Sequence, residues 1–167
     1  MKMTMPISKN LVLISIFVIL LLTTFIGDAN LHSVVGHWTT IDDKTGKPLS
    51  IVHIYKKDGV IEAKVSKINP ILGQKPSDKC KQCKGALHNK PILGMRIIWG
   101  MKRLDESNVW GNGRVLDPKS GHIYRGKMTL IDHGCKLNLR GYVGIPLFGR
   151  TETWLRANDK KCQFNSK

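Results

Sequence analysis

Beyond residue 30 the chain reads as eight short segments of strand character, each closed by a turn signal, with no helix-period stretch of useful length. The expected strands are Val35–Thr40, Leu49–Lys56, Val60–Ile68, Ile92–Trp99, Asn108–Leu116, His122–Ile131, Lys136–Val143 and Leu147–Leu155. The third shows the period most plainly: Ile61, Ala63 and Val65 alternate with Glu62, Lys64 and Ser66, one buried face and one wet face. Asp42-Asp43-Lys44-Thr45-Gly46-Lys47-Pro48, Lys57-Asp58-Gly59, Asp117-Pro118-Lys119-Ser120-Gly121 and Asp132-His133-Gly134 are turns. Parallel pairing needs crossover segments that this sequence lacks, so neighbouring strands pair antiparallel. Eight such strands in meander order close into an all-β up-and-down barrel, with room inside for side chains or one small ligand. An open sandwich is the alternative.

The two ends of the strand set match. Gly36-His37-Trp38 opens the first strand, and Arg150 and Arg156 lie on the last. A Trp that plugs one end of a barrel can be covered by a guanidinium, a contact worth about 0.5–2 kcal/mol. Arg156 is the first expectation for that cover and Arg150 the second.

Residues 1–29 have the form of an export signal. Lys2 and Lys9 precede an uncharged apolar run from Leu11 to Ile26, and Gly27 and Ala29 are small residues suited to cleavage after Ala29. An uncleaved anchor is the alternative, although the run is shorter than the roughly 18–20 residues that span a bilayer. Cleavage leaves residues 30–167 as a single domain with no transmembrane segment. The net charge of +15 falls to +14 once Lys2, Lys9 and Asp28 are removed. A basic surface of that size suits anionic envelope polymers or lipids, or is simply solvated. Export argues against nucleic acid as a partner.

The residues offer little catalytic chemistry. No Gly-x-Ser-x-Gly motif and no glycine-rich phosphate loop is present. Six histidines are scattered, without metal-ligand spacing on one element. Cys80-Lys81-Gln82-Cys83 sits in the long, Pro-bearing stretch from Asn69 to Pro91. A structural disulfide is the foremost reading. Nearby lysines would lower a thiol pKa and so keep a redox role open, whereas zinc would need two further ligands. Cys135 begins the seventh strand and Cys162 lies just past the end of the eighth, so a second disulfide joins them. The expectation is a protein without catalytic activity, cofactor or metal.

Several segments together carry a resemblance. They are Gly36-His37-Trp38, Asp42-Asp43-Lys44-Thr45-Gly46, Cys80-Lys81-Gln82-Cys83-Lys84-Gly85, Pro91-Ile92-Leu93-Gly94, Trp99-Gly100, Leu116 to Tyr124, and Arg140-Gly141-Tyr142 through Trp154. On these the chain resembles the bacterial secreted family catalogued as domain of unknown function 2147. The resemblance implies a lipocalin-like barrel in the bacterial periplasm, and it implies no reaction. Glu152 stands where that family commonly has Gln, and Cys135 and Cys162 lie outside its usual pattern.

The expected function is binding of a small hydrophobic or amphipathic molecule in a concave, mostly apolar site. Trp99, Trp110, Tyr124, Tyr142 and Trp154 are the aromatic candidates. Arg140 and Tyr142 share one strand face, with Leu137, Leu139 and Val143 on the other. Either face could line the interior. With Arg140 and Tyr142 inward, they would hold an acidic or polar head above an apolar tail. Gly94, Gly111, Gly113, Gly126 and Gly141 would leave space for that tail if they point inward.

Overall fold

The structure is a computed structural model and describes residues 33–42, 45–70, 78–104, 108–160 and 162. The expected export signal, residues 1–29, lies outside the described residues, as do Asp43 and Lys44 of the first turn. Eight strands follow in order: β1 (Gly36–Ile41), β2 (Pro48–Lys57), β3 (Val60–Ile68), β4 (Arg96–Arg103), β5 (Val109–Leu116), β6 (Ile123–Ile131), β7 (Lys136–Tyr142) and β8 (Gly149–Arg156). Each pairs antiparallel with the next, and β8 returns to β1 through Trp38 opposite Arg156 and Thr39 opposite Leu155. The barrel is therefore closed, and the sandwich alternative is excluded.

The connections alternate between two ends. The base carries the β2–β3, β4–β5 and β6–β7 turns. The mouth carries the β1–β2, β3–β4, β5–β6 and β7–β8 connections. The period of two places Val52 and Ile54 of β2, Ala63 and Val65 of β3, Met128 and Leu130 of β6, and Leu137 and Leu139 of β7 in one buried core. Glu62 departs from the expected wet face of β3. It is buried because the Tyr55 hydroxyl donates to its carboxylate at 3.1 Å and Arg96 pairs with it at 3.0 Å.

The base is filled. Trp38 is fully buried and its indole donates to Val34 O at 2.9 Å. The Arg156 guanidinium lies 4.3 Å from the Trp38 ring centre and covers it. Arg150 plays no part in it. Six residues along an extended strand cover about 20 Å, so Arg150 stands at the mouth when Arg156 stands at the base. Three glycines leave no hollow beside them in the barrel wall. A Cβ on Gly113 would lie 2.7 Å from Met101 Sδ, Gly126 faces the Met101 methyl, and Gly111 faces Leu104. Gly94 lies outside the strands in a turn with φ 80°, and Gly141, opposite Gly126, sits beside Tyr124.

Strand β4 starts four residues later than the sequence pattern indicates. Ile92–Met95 instead form a turn against β3, in which Gly94 N donates to Val65 O and Val65 N donates to Met95 O. Gly100, with φ 71°, then lets the strand bulge and continue to Arg103. Cys80 and Cys83 are joined, and so are Cys135 and Cys162. The first bridge lies in the β3–β4 connection, which packs on the β5–β6 turn. There Gln82 O sits so close to Gly121 that no side chain would fit.

Candidate functional site

The inward faces of the strands become polar only as they approach the mouth. On β8, Trp154 is opposite Leu137, Glu152 opposite Leu139 and Arg150 opposite Gly141. On β6, Tyr124 is opposite Val115, with the same parity as inward-facing Gly126. On β1 and β2, next to β8 in the ring, Thr40 Oγ1 and Ser50 Oγ are hydrogen-bonded at 2.8 Å, and Thr40 is buried. Beneath this rim lie the buried side chains of Val52, Val65, Ile98, Val115, Leu139 and Trp154. The arrangement is an apolar floor under a ring of hydroxyl, carboxylate and guanidinium groups.

Glu152 is the charged group set deepest in that ring. Its Oε2 accepts from Trp154 Nε1 at 3.2 Å, and its Oε1 lies 3.7 Å from Arg150 Nη2. The half-exposed carboxylate thus bridges the buried indole below and the exposed guanidinium above. An anionic head entering the mouth can compete with Glu152 for Arg150. A hydroxyl or ammonium head can use the carboxylate directly.

The other expected binding residues are distributed elsewhere. Arg140 and Tyr142 face outward, because the leucines of β7 take the interior. Arg140 instead holds the β7–β8 connection: Nε donates to Pro146 O at 2.6 Å, Nη2 to Leu147 O at 3.1 Å and Nη1 to Thr151 Oγ1 at 2.8 Å. Trp110 is buried, with the Arg103 guanidinium 5.4 Å from its ring centre. Trp99 lies on the outer wall, where Arg96 is 5.7 Å from its ring centre. There, with Leu87, Leu93, Met95 and Ile123, it lines a shallow groove of about 430 Å3 beneath the β3–β4 connection. Of the expected aromatics, the fold brings Tyr124 to the mouth and buries Trp154 in the floor beneath it. Thr40 and Ser50 went unnoticed in the sequence, since short hydroxyls on strands carry no distinctive signal.

Two histidines stack on the outer face of β1 and β2. The rings of His37 and His53 are 4.5 Å apart and nearly parallel. Burial, then the charges of His37 and Lys64, push the His53 pKa down. Among the described residues no three His, Cys, Asp or Glu side chains come together to hold a metal ion.

A closed eight-stranded meander barrel with a buried base and a polar rim is a lipocalin-like fold. A solved structure supports that class at the level of fold: "Protein HP1028 from the human pathogen Helicobacter pylori belongs to the lipocalin family". It matches with a TM-score of 0.64 and 19% identity, over 79% of this chain and 88% of that one. Residues 36–156 match the family described as "Uncharacterized protein conserved in bacteria (DUF2147)", and the chain belongs to that family. No curated protein matches it.

Proposed function

We propose that this protein is a non-catalytic binder of small amphipathic molecules outside the cytoplasm. The observation that carries the reading is the mouth itself: an apolar floor of Val65, Val115, Leu139 and Trp154 beneath Arg150, Glu152 and Tyr124. Ligand pockets are typically apolar with a few placed polar groups. In this reading an acyl tail lies on the floor, and an acidic head reaches Arg150 in place of the expected Arg140 and Tyr142. Export rests on the leader-like sequence and on two disulfides, which persist in oxidising compartments. Among the described residues no helix is long and apolar enough to cross a membrane.

Tryptophan fluorescence titrated with fatty acids of increasing length tests this reading. Saturable quenching is expected, because Trp154 lies in the floor. Arg150→Ala should weaken binding about tenfold, the loss of one charge-assisted contact to the head group. The absence of a saturable change with every amphiphile would remove the binding reading.

A further inference from the structure

Connections at barrel ends are usually polar, but the β7–β8 connection is not. Val143-Gly144-Ile145-Pro146-Leu147-Phe148 contains no charged or hydrogen-bonding side chain. Its large side chains are turned out: Val143 is 68% exposed, Ile145 55%, Leu147 76% and Phe148 72%. This display is built in. Arg140 grips the carbonyls of Pro146 and Leu147, Val143 N donates to Phe148 O, and Phe148 N donates to Ile145 O. These bonds hold the turn while its apolar side chains project. Ile123, at the start of adjacent β6, and Leu93, across the outer groove, extend the same apolar rim.

We propose that this rim is a docking surface for an anionic lipid bilayer, with the β7–β8 tip entering the headgroup region. The inference does not depend on the mouth binding a ligand. Exposed apolar patches rimmed by polar residues mark interaction sites, and the surrounding charge selects the partner. Arg125 is exposed opposite Tyr142, beside the tip. Exposed Lys81, Lys84, Lys90 and Lys119 lie on the other connections of the same end. Cations next to an anionic leaflet strengthen attachment, and apolar side chains entering the interface add their burial. A second copy of the chain is a poorer occupant, because docking tip to tip brings two sets of these cations together. The Tyr142 ring, at the end of β7, is placed to lie at headgroup level.

The test is a Phe148→Trp variant of the full chain, mixed with vesicles bearing brominated acyl chains. One set is phosphatidylcholine alone, and the other contains phosphatidylglycerol as well. The readout is local to position 148, with the unsubstituted chain giving the background from the four native tryptophans. The expected result is a blue shift and quenching with the anionic vesicles, reduced by salt. Adding Leu147→Asp should lower the partition coefficient about tenfold or more, through loss of one buried apolar side chain. Unchanged melting of that variant would show that the fold is intact. The proposal is overturned by absence of quenching with anionic vesicles, or by equal quenching with and without Leu147→Asp. Concentration-dependent dimerisation that Leu147→Asp abolishes, without lipid uptake, would also overturn it and assign the rim to a second copy.

Discussion

Replacing Arg156 with Leu should cost this barrel about 3 kcal/mol. The guanidinium donates to Gly134 O at 2.7 Å, to Ser33 O at 2.7 Å and to Val35 O at 3.4 Å, and it covers the Trp38 ring. Burial pulls its pKa below the usual arginine range, with Asp159 opposing, so this charge is partly removed from water. Each of the two short charge-assisted bonds is worth about 1.5 kcal/mol. The ring contact adds about 1 kcal/mol. Because Arg156 is only half-buried, water regains part of that sum, which brings it to about 3 kcal/mol. For a domain of this size the loss corresponds to a fall of about 10 °C in Tm. Thermal unfolding of wild type, Arg156→Leu, Trp38→Leu and the double variant measures it, and the cycle isolates the ring contact. A Tm for Arg156→Leu within about 2 °C of wild type would refute the reasoning. So would full additivity in the cycle, since directly touching groups are expected to couple.

Three further outcomes are expected. Met101→Ala should destabilise by about 3 kcal/mol, because Gly113 and Gly126 offer nothing to fill the space, and urea unfolding reads this directly. Separating Cys135 from Cys162, as in Cys162→Ser, should cost about 3.5 kcal/mol in the chain-entropy model for a loop of sequence separation 27, measured by the shift of the denaturant midpoint. His53 has its pKa lowered in the folded state, so the unfolded chain binds the proton first as pH falls. Stability should therefore hold above the unfolded value of 6.5, decline as pH drops below it, and level off below the folded pKa. Denaturant midpoints across that range check it, and His53→Gln should flatten the slope.

The closed meander was legible because period-two alternation and turn residues are local signals. Val60–Ile68 was read to the residue, since Lys57-Asp58-Gly59 fixes one end and the apolar alternation fixes the face. The β4 segment was misplaced because Ile92 and Leu93 look like strand residues. Ile92 instead packs the β3–β4 connection against the core, a tertiary reason that periodicity cannot express, while Leu93 stays exposed beside the outer groove. The mouth was only half legible. On β7 the leucines and Arg140 alternate cleanly, but pattern alone does not say which set is inside when both faces carry comparable apolar content. On β8 the inward residues Arg150 and Glu152 look like a solvent face, because a barrel wall becomes polar where it meets water. The β7–β8 tip was read as strand from Leu147 onward, whereas Arg140 holds that stretch as a turn. Five apolar residues in a connection were the available signal.

With β8 against β1, the strands form a ring, and where that ring is cut is a property of the gene rather than of the barrel. Ala157 N donates to His37 O at 2.9 Å, so the two ends of the strand set lie side by side at the base. Asp58 and Gly59, both at positive φ in the β2–β3 turn, also lie at the base and make a natural new opening. A circularly permuted chain beginning at Gly59, with a short linker joining the old ends, keeps every strand neighbour. In that order the Arg156–Val35 hydrogen bond, which now spans 121 positions, closes a short loop. The strand closure of longest sequence separation, β8 on β1, then becomes a local one, and the entropic cost of bringing its partners together falls.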